Sequence, residues 1–167
     1  ALALLVEDGF AGMTMEGIAA RAGVGKATLY RRWRTKAEVV VDALGHHVCR
    51  PRPRSDTGDV RRDLVLMYRA MLQTLRSADG PIMAAFTAET FRHPELRDAF
   101  ERTFVADRRS QLRRVVEQGV AAGQLPADID LELLCEVGPA ILWHRFTMRG
   151  GNLTANLPER IVEQFLP

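Results

Sequence analysis

The stretch Arg21-Ala-Gly-Val-Gly-Lys-Ala-Thr-Leu-Tyr-Arg-Arg-Trp-Arg-Thr-Lys36 decides the fold of the first part of the chain. It holds six cationic side chains and no acidic one, placed around a tight turn at Gly23-Val24-Gly25. Amphipathic helical patterns flank this turn over Thr14–Ala22 and Lys26–Trp33. Two helices that meet at a glycine turn, the second short and basic, are the parts of a helix-turn-helix. The stretch therefore predicts a surface that fits the major groove of DNA.

The charge distribution divides the 167-residue chain into a basic head and a mildly acidic body. Residues 1–54 carry nine Lys or Arg against five Asp or Glu, a net charge of +4, whereas residues 55–167 carry fourteen against sixteen, a net charge of −2. This separation is expected if only the head meets phosphates. With 47% apolar and 26% charged residues, the composition is that of a folded globular protein and excludes a disordered chain.

The lengths of the apolar runs, the first residues and the two cysteines predict a cytoplasmic protein without a membrane segment. No run approaches the roughly 20 apolar residues that cross a bilayer, and Ala1–Val6 lacks the basic lead-in and cleavage site of a signal peptide. This segment continues into Glu7-Asp8-Gly9, which is typical of a helix end with a C-cap glycine, so we expect residues upstream of Ala1. Cys49 and Cys135 lie in separate helical patterns, which favours reduced thiols over a disulfide or redox switch.

Helical periodicity dominates the remaining sequence and predicts an all-α fold. Thr35 and Glu38 have the spacing of a capping box at the start of a further helix that runs to about Cys49. The prolines of Arg50–Ser55 exclude helix and predict a hinge, so we expect a helix-turn-helix domain over residues 1–45 and a helical ligand-binding and dimerisation domain over 46–167. Five helices are predicted in the body: Val60 to Leu75, Pro81 to before Pro94, Pro94 to about Ala122, Leu131 to Met148 with Asp130 as N-cap, and a last helix capped by Asn156.

Small and apolar residues of the head are spaced for close helix packing. Ala19 supplies a small contact, Gly23 a turn residue that can take positive φ, and Leu29 an apolar anchor. We expect four side chains of the two helices to pack on the first helix through Leu4, Leu5 and Phe10, namely those of Ile18, Ala22, Val24 and Leu29.

The polar side chains that remain are predicted to face DNA. Lys26, Ala27 and Thr28 stand at the N-terminal end of the second helix, where side chains of this motif reach base edges. As an N-cap, Thr14 can offer its hydroxyl and free backbone amides to a phosphate. Tyr30 and Lys36 are placed to grip the DNA backbone, and Arg31 lies on the outward face. The predicted DNA contacts are therefore Thr14, Lys26, Ala27, Thr28, Tyr30, Arg31 and Lys36. The alternative is a solvated basic face on a helical hairpin; the turn, the small-residue spacing and the absence of acid together favour DNA.

The sequence Thr14-Met-Glu-Gly-Ile-Ala-Ala-Arg-Ala-Gly-Val-Gly-Lys-Ala-Thr-Leu-Tyr-Arg-Arg-Trp-Arg-Thr-Lys-Ala-Glu38 resembles the DNA-binding signature of the tetracycline-repressor (TetR) family of bacterial regulators. The similarity runs from Gly9 to Leu44. It implies a helical body that encloses a ligand pocket and whose last two helices form a dimer. Gly25 departs from the family, which often has serine there, and Arg31 stands where histidine or tyrosine is more usual.

Flexible and aromatic side chains in the body match the pocket that this resemblance implies. Methionine and phenylalanine side chains, Met83 among them, recur on one face of the body helices and are typical of an adaptable apolar cavity, although such faces more often belong to the plain core. Polar groups within the stripe of the long helix need partners, which could be a ligand, Arg108 or a neighbouring helix. The predicted contacts to a small hydrophobic effector are Met67, Met71, Phe86, Phe100, Phe104, Asp107 and Gln111.

The helix over Leu131–Met148 is predicted to form a dimer seam with the last helix. Gly138-Pro139-Ala140 bends it and permits close approach of another helix, and the last helix carries an apolar stripe. A self-complementary twofold is the commonest protein symmetry. The predicted homodimer contacts are Gly138, Ile141, Arg145, Ile161 and Phe165.

No catalytic arrangement is evident in the sequence, and we expect neither enzyme activity nor a cofactor. Glu-x-x-His pairs, the nucleophile elbow and phosphate-binding glycine loops are absent, no spacing suits a metal, and Glu89 with His93 is typical of a surface contact. The sequence predicts a DNA-binding transcriptional regulator, a ligand-responsive repressor that binds a palindromic operator as a homodimer. The alternatives are an effector-independent DNA binder whose body only dimerises, and a helical-bundle enzyme with a vestigial head.

Overall fold

A computed structural model describes residues 1–48 and 56–166. These residues form ten α-helices and one π-helical turn, and they contain no β-strand, so the predicted all-α fold is confirmed. In chain order the elements are α1 (Leu2–Gly12), α2 (Met15–Ala22), α3 (Lys26–Arg32), α4 (Lys36–Val48), α5 (Val60–Arg76), α6 (Gly80–Thr90), α7 (Pro94–Phe100), the π turn (Glu101–Val105), α8 (Ala106–Ala121), α9 (Leu131–Met148) and α10 (Leu157–Phe165).

The helices are grouped into two compact units. The first comprises the described residues of Ala1–Arg50 together with Asp79–Ala106, and the second comprises those of Pro51–Ala78 together with Asp107–Pro167. The head thus belongs to the same unit as α6, α7 and the π turn. The functional boundary between residues 45 and 46 stays a prediction, and the predicted hinge Arg50–Ser55 and Cys49 lie outside the described residues.

Local capping fixes the helix-turn-helix. The backbone N–H of Gly17 donates to Thr14 Oγ1 at 3.0 Å, so Thr14 caps α2 as predicted. Gly23 ends α2 with φ 68°, a left-handed conformation that favours glycine. At the start of α4 the N–H of Glu38 donates to Thr35 Oγ1 at 3.2 Å. The Glu38 carboxylate accepts the N–H of Arg34 at 2.7 Å, so the return bond reaches one residue further back than in the predicted capping box.

The first helix is kinked at the predicted glycine. Gly9 has φ 67° and ψ 167°, which interrupts the helical path after Asp8, and helical bonding then resumes as far as Gly12. Phe10, directly after the kink, is completely buried. The predicted helix end at Gly9 is therefore a kink inside α1, and the kink turns Phe10 into the core of the first unit.

Two of the four side chains predicted to pack on the first helix are buried. Ile18 and Leu29 are buried, as expected. The prediction was wrong for Ala22 and Val24: Ala22 is exposed and Val24 is 40% exposed. Both residues flank Gly23, whose left-handed conformation turns the chain away from the core between α2 and α3.

The second unit is a helical bundle of α5, α8, α9 and α10. Leu64, Val116 and Leu142 are fully buried at its centre. Asp130 caps α9 as predicted, because its Oδ1 accepts the N–H of Leu133 at 2.9 Å. Asn156 stands at the N-cap position of α10, as predicted, but with φ −91° and ψ 9° its side chain makes no capping hydrogen bond.

The long helix predicted from Pro94 to about Ala122 has the right extent but carries an unexpected irregularity. α7 and α8 are joined by the π turn over Glu101–Val105, in which each turn holds an additional residue. Gly123, with φ 70°, follows α8 as the predicted stop. Within residues 1–48 and 56–166 no helix combines the length and apolar character that a membrane crossing needs.

Candidate functional site

Helix α3 presents the predicted base-reading side chains to solvent. Leu29 anchors the helix and is 4% exposed, whereas Lys26, Ala27 and Thr28 at its N-terminal end are all exposed. Tyr30 is 48% exposed, and Arg31 is exposed as well. The structure therefore brings five of the seven predicted DNA contacts to one short helix whose single buried side chain faces inward. Thr14 is exposed at the start of α2, where its hydroxyl can still donate to a phosphate.

Two acidic residues pair with cations of α2 and α3. Glu16 Oε1 lies 3.1 Å from Lys26 Nζ and links the first turn of α2 to the first residue of α3. Glu7 of α1 holds Arg21 through two hydrogen bonds of 2.8 Å. The sequence interpretation used the absence of acid between Arg21 and Lys36 and missed that folding brings Glu16 against this stretch.

Lys36 has partners inside the head. Its ammonium donates to the backbone oxygens of Phe10 at 2.7 Å and Met13 at 2.9 Å, with a longer contact of 3.4 Å to Ala11. The same ammonium lies 4.4 Å from the centre of the Phe10 ring, a cation–π distance. Lys36 therefore binds the C-terminal carbonyl groups of α1 and ties the start of α4 to α1. In the free protein these bonds occupy the ammonium. The predicted contact of Lys36 with the DNA backbone stays a prediction.

The C-terminal end of α3 is anchored to α4 by Asp42, which the sequence analysis did not single out. Asp42 Oδ2 accepts the indole N–H of Trp33 at 3.1 Å and lies 3.6 Å from the guanidinium of Arg32. Arg32 stacks over the Trp33 ring at 4.8 Å, and His46 Nε2 lies 3.5 Å from Asp42 Oδ1. One carboxylate thus contacts three side chains and positions the C-terminal end of α3.

Glu89 and His93 are part of a packed cluster, contrary to the surface contact expected from sequence. The N–H of Phe10 donates to Glu89 Oε2 at 3.3 Å, and His93 Nε2 lies 3.4 Å from the same oxygen. The rings of Phe10 and His93 are 4.9 Å apart. The side chains of Glu89 and His93 are 17% and 22% exposed, so the end of α6 holds the kinked part of α1.

Comparison with known proteins identifies the family. The sequence model of "Bacterial regulatory proteins, tetR family" matches residues 1–43, and that of "Tetracyclin repressor-like, C-terminal domain" matches residues 54–165. The chain belongs to the TetR family. It is therefore a DNA-binding transcriptional regulator, as the sequence predicted.

Relatives of known sequence and structure cover nearly the whole chain. The chain is 33% identical to the "DNA-binding transcriptional repressor TetR" of Mycobacteroides abscessus, over 99% of this chain and 87% of that protein. It is 29% identical to the uncharacterised HTH-type transcriptional regulator YdeS of Bacillus subtilis, over 88% and 74% of the two chains. The crystal structure of the TetR family transcription regulator SCO0332 superposes with a TM-score of 0.74 at 26% identity, covering 99% of this chain and 94% of that one.

Three of the predicted effector contacts of this TetR-family chain form an aromatic cluster in the first unit. The ring centres of Phe86 and Phe100 are 4.8 Å apart, and those of Phe100 and Phe104 are 4.9 Å apart with nearly parallel planes. Phe86 is completely buried, whereas Phe100 and Phe104 are partly exposed. The π turn lies directly after Phe100, and such turns are frequent at functional sites.

The other four predicted effector contacts belong to the second unit. Gln111 Nε2 donates to the carboxylate of Asp107 at 3.3 Å, so these two residues of α8 are partners of each other. Met67 and Met71 are partly buried against the core of this unit. All four stay predicted ligand contacts.

The predicted dimer residues divide into an inner and an outer group. Gly138 is buried against the ring of Tyr68, which a methyl group at this position would overlap, so it packs closely within its own chain, and its predicted contact with a second copy stays a prediction. Ile161 is 4% exposed and packs in the core. Ile141, Arg145 and Phe165 line a groove between α9 and α10 with a volume of about 290 Å³, to which Ile161 also contributes, and Phe165 is 46% exposed.

The described residues offer no metal centre. In residues 1–48 and 56–166, no three His, Cys, Asp or Glu side chains lie together as a metal site would need. Cys135 is a buried free thiol of α9 whose pKa is raised, mainly by burial, which favours the unreactive protonated form.

Proposed function

We propose that the chain is a ligand-responsive repressor that binds a palindromic operator as a homodimer in the cytoplasm. The observation that carries this proposal is the presentation of α3, anchored by Leu29 and otherwise exposed from Lys26 to Arg31. The name of the Mycobacteroides abscessus relative, a DNA-binding transcriptional repressor, supports repression. In a twofold dimer the two α3 helices meet successive major grooves, whose centres are about 34 Å apart or a multiple of this distance.

DNA contact divides into base reading and backbone gripping. Lys26, Ala27 and Thr28 read base edges, whereas Thr14 and Tyr30 position the head on phosphates. Arg31 and Lys36 complete the proposed contact set, the latter in addition to its bonds to α1. Thr28→Ala is expected to change which sequence is preferred, whereas Tyr30→Phe is expected to weaken binding to all sequences alike. Binding titrations against a selected operator and its single-base variants separate the two effects.

Dimerisation is proposed through the outer face of α9 and α10. Phe165, 46% exposed beside Ile141 and Arg145, is the aromatic anchor of this face, and aromatic anchors dominate protein interfaces. Phe165→Asp should give a monomer in sedimentation equilibrium and weaken operator binding. Phe91→Asp is the matched control, because Phe91 is 84% exposed and lies in the first unit. A dimer that persists in Phe165→Asp would contradict the proposed seam.

Effector recognition is proposed at the aromatic cluster of Phe86, Phe100 and Phe104. A hydrophobic ligand that stacks on partly exposed rings gains apolar contact there. The two heads of the proposed dimer can stand at a spacing that fits DNA or at one that does not. A ligand that binds the second arrangement more tightly, by a few kcal/mol in binding free energy, is enough to empty the operator. We therefore expect the effector to release DNA.

A thermal-shift screen with aromatic and aliphatic compounds tests the effector proposal. A specific ligand at 100 times its Kd adds about 2.7 kcal/mol to the free energy of unfolding. Phe104→Leu should weaken this effect, and Phe91→Leu should leave it unchanged. If compounds that stabilise the protein never release operator DNA, the effector-independent alternative replaces the proposal.

A further inference from the structure

The ion pair between Glu16 and Lys26 places an acid at the base-reading end of α3. Glu16 belongs to the first turn of α2 and Lys26 is the first residue of α3, and their charged atoms are 3.1 Å apart. The two side chains are 50% and 62% exposed, so both can meet DNA that approaches this end of the helix. Among the described residues, Glu16 is the acid that forms an ion pair with one of the proposed base-reading side chains, that of Lys26.

A lysine at this position needs a partner that restricts it. Its ammonium is a compact point charge on a flexible four-carbon stem, and it can reach a phosphate as well as a base edge. Phosphate contacts carry no sequence information. A carboxylate 3.1 Å away holds the ammonium beside the start of α3 and repels nearby phosphates.

The Glu16 carboxylate is ionised throughout the neutral pH range. Its pKa lies below the ordinary value, first because its own backbone N–H donates to it, and then because the Lys26 ammonium hydrogen-bonds it and attracts its charge. A negative charge on a DNA-facing surface weakens the sequence-independent part of binding, which comes from phosphate neutralisation.

We propose that Glu16 determines operator specificity by positioning Lys26 at the base edges and by lowering affinity for DNA in general. This inference rests on the proposed base-reading role of Lys26. Glu16 is a positioning residue, since it acts through Lys26. Its removal frees the ammonium for phosphates, so that the protein binds all DNA more tightly and discriminates less between sequences.

The chain offers a matched control in the ion pair of Glu7 and Arg21. Glu7 and Arg21 are 50% and 51% exposed, close to the exposure of the first pair, and their atoms are 2.8 Å apart. The pKa of Glu7 is also lowered, chiefly by its hydrogen bond with Arg21. This pair joins α1 to the last turn of α2 and does not include Lys26. Glu7→Gln and Glu16→Gln therefore remove the same charge from the same head, and only the second touches Lys26.

The test measures Kd for a selected operator and for a scrambled duplex of equal length, with the full chain, between about 50 and 200 mM salt. The variants are Glu16→Gln, Glu7→Gln, Lys26→Gln and the double variant Glu16→Gln/Lys26→Gln. We expect Glu16→Gln to tighten binding to the scrambled duplex, to steepen the salt dependence by about one counterion, and to reduce the specificity ratio by about fivefold or more. Glu7→Gln should leave the ratio at the value of the unaltered protein, and all four variants should keep its circular dichroism melting curve.

The double variant tests whether Glu16 acts through Lys26. Glu16→Gln should have no effect on the specificity ratio once Lys26 is glutamine, because the positioned group is gone. A full effect in that background, or equal ratios for Glu16→Gln and Glu7→Gln, overturns the inference while the proposed function stands. If Lys26→Gln alone leaves sequence preference unchanged, the base-reading role of Lys26 fails and the inference falls with it.

Discussion

Lys36 shows how one side chain can stabilise the head from inside. Its ammonium bonds the carbonyl oxygens of Phe10 and Met13 at 2.7 and 2.9 Å. Lys36→Met removes the donor and leaves those carbonyl groups without this partner, so we expect a loss of about 1–3 kcal/mol in the free energy of unfolding. Urea denaturation measures it. Lys26→Met is the control, because Lys26 is an exposed partner in a surface ion pair and its replacement should change the free energy of unfolding by less than about 0.5 kcal/mol. Equal urea midpoints for the two variants would refute the stabilising role of Lys36.

Glu89 is expected to act in the same way on the kink of α1. It accepts the N–H of Phe10 at 3.3 Å, and its side chain is 17% exposed. Glu89→Ala leaves a partly buried backbone donor unsatisfied, which costs about 1–3 kcal/mol. Glu95→Ala removes a carboxylate whose side chain is 60% exposed and should have little effect. Comparable losses for the two variants in thermal unfolding would argue against the role of Glu89.

The sequence predicted a stabilising role correctly only where the two partners lie close together in the chain. Thr14 was predicted as a cap from its position at a helix start, and its bond spans three residues. The bonds of Lys36 span 23 to 26 residues and that of Glu89 to Phe10 spans 79. Contacts of this kind depend on how helices pack, which local spacing in one sequence does not encode.

At the scale of elements, Asp42 connects α4 to the C-terminal end of α3. Its carboxylate accepts the Trp33 indole N–H and contacts Arg32 and His46. Asp42→Ala should loosen the C-terminal end of α3 and weaken operator binding by about 1 kcal/mol, the net value of such a hydrogen bond. Trp33→Phe should have a similar effect, and the two should be non-additive when combined. Additive losses in operator titrations would show that the bond does not carry the effect.

Packing of α9 on α5 depends on Gly138. A methyl group there would overlap the Tyr68 ring, and burial raises the pKa of Tyr68 well above its usual range, so the ring stays neutral in this contact. Gly138→Ala should lower stability by about 1–3 kcal/mol through overpacking. Gly45→Ala is the opposite case, since nothing lies within 4 Å of a methyl group at that helical position, and about 0.5–1 kcal/mol of stabilisation is expected. A stable Gly138→Ala protein in calorimetry would mean that α5 and α9 can separate easily.

The elements themselves were largely predictable, and their irregularities were not. Thr14, Asp130 and Gly123 mark helix ends because a side-chain oxygen or a positive φ satisfies a local requirement. The π turn at Glu101–Val105 has no such signal, since its residues continue the helical pattern. Asn156 has a favourable residue type and the N-cap position, but its backbone lies outside the extended region typical of such caps and its side chain makes no capping bond.

At the scale of the whole molecule, charge and helical periodicity predicted a DNA-binding head on an all-α body, and the resemblance of Thr14–Glu38 to a known signature predicted the family. Matching family models over residues 1–43 and 54–165 confirm both predictions. The sequence did not predict that the head forms one compact unit with α6, α7 and the π turn. That grouping depends on contacts such as Phe10 with Glu89 and His93, which join residues distant in sequence.

Selection of preferred DNA from a random duplex pool by the full chain tests the central claim most directly. The account predicts enrichment of an inverted repeat whose half-sites are separated by about one helical turn or a multiple of it. It further predicts that the enriched bases change when Thr28 is replaced. Failure to enrich any sequence at low salt, or enrichment of the same bases after replacement of both Lys26 and Thr28, would contradict the assignment of α3 as the helix that reads DNA.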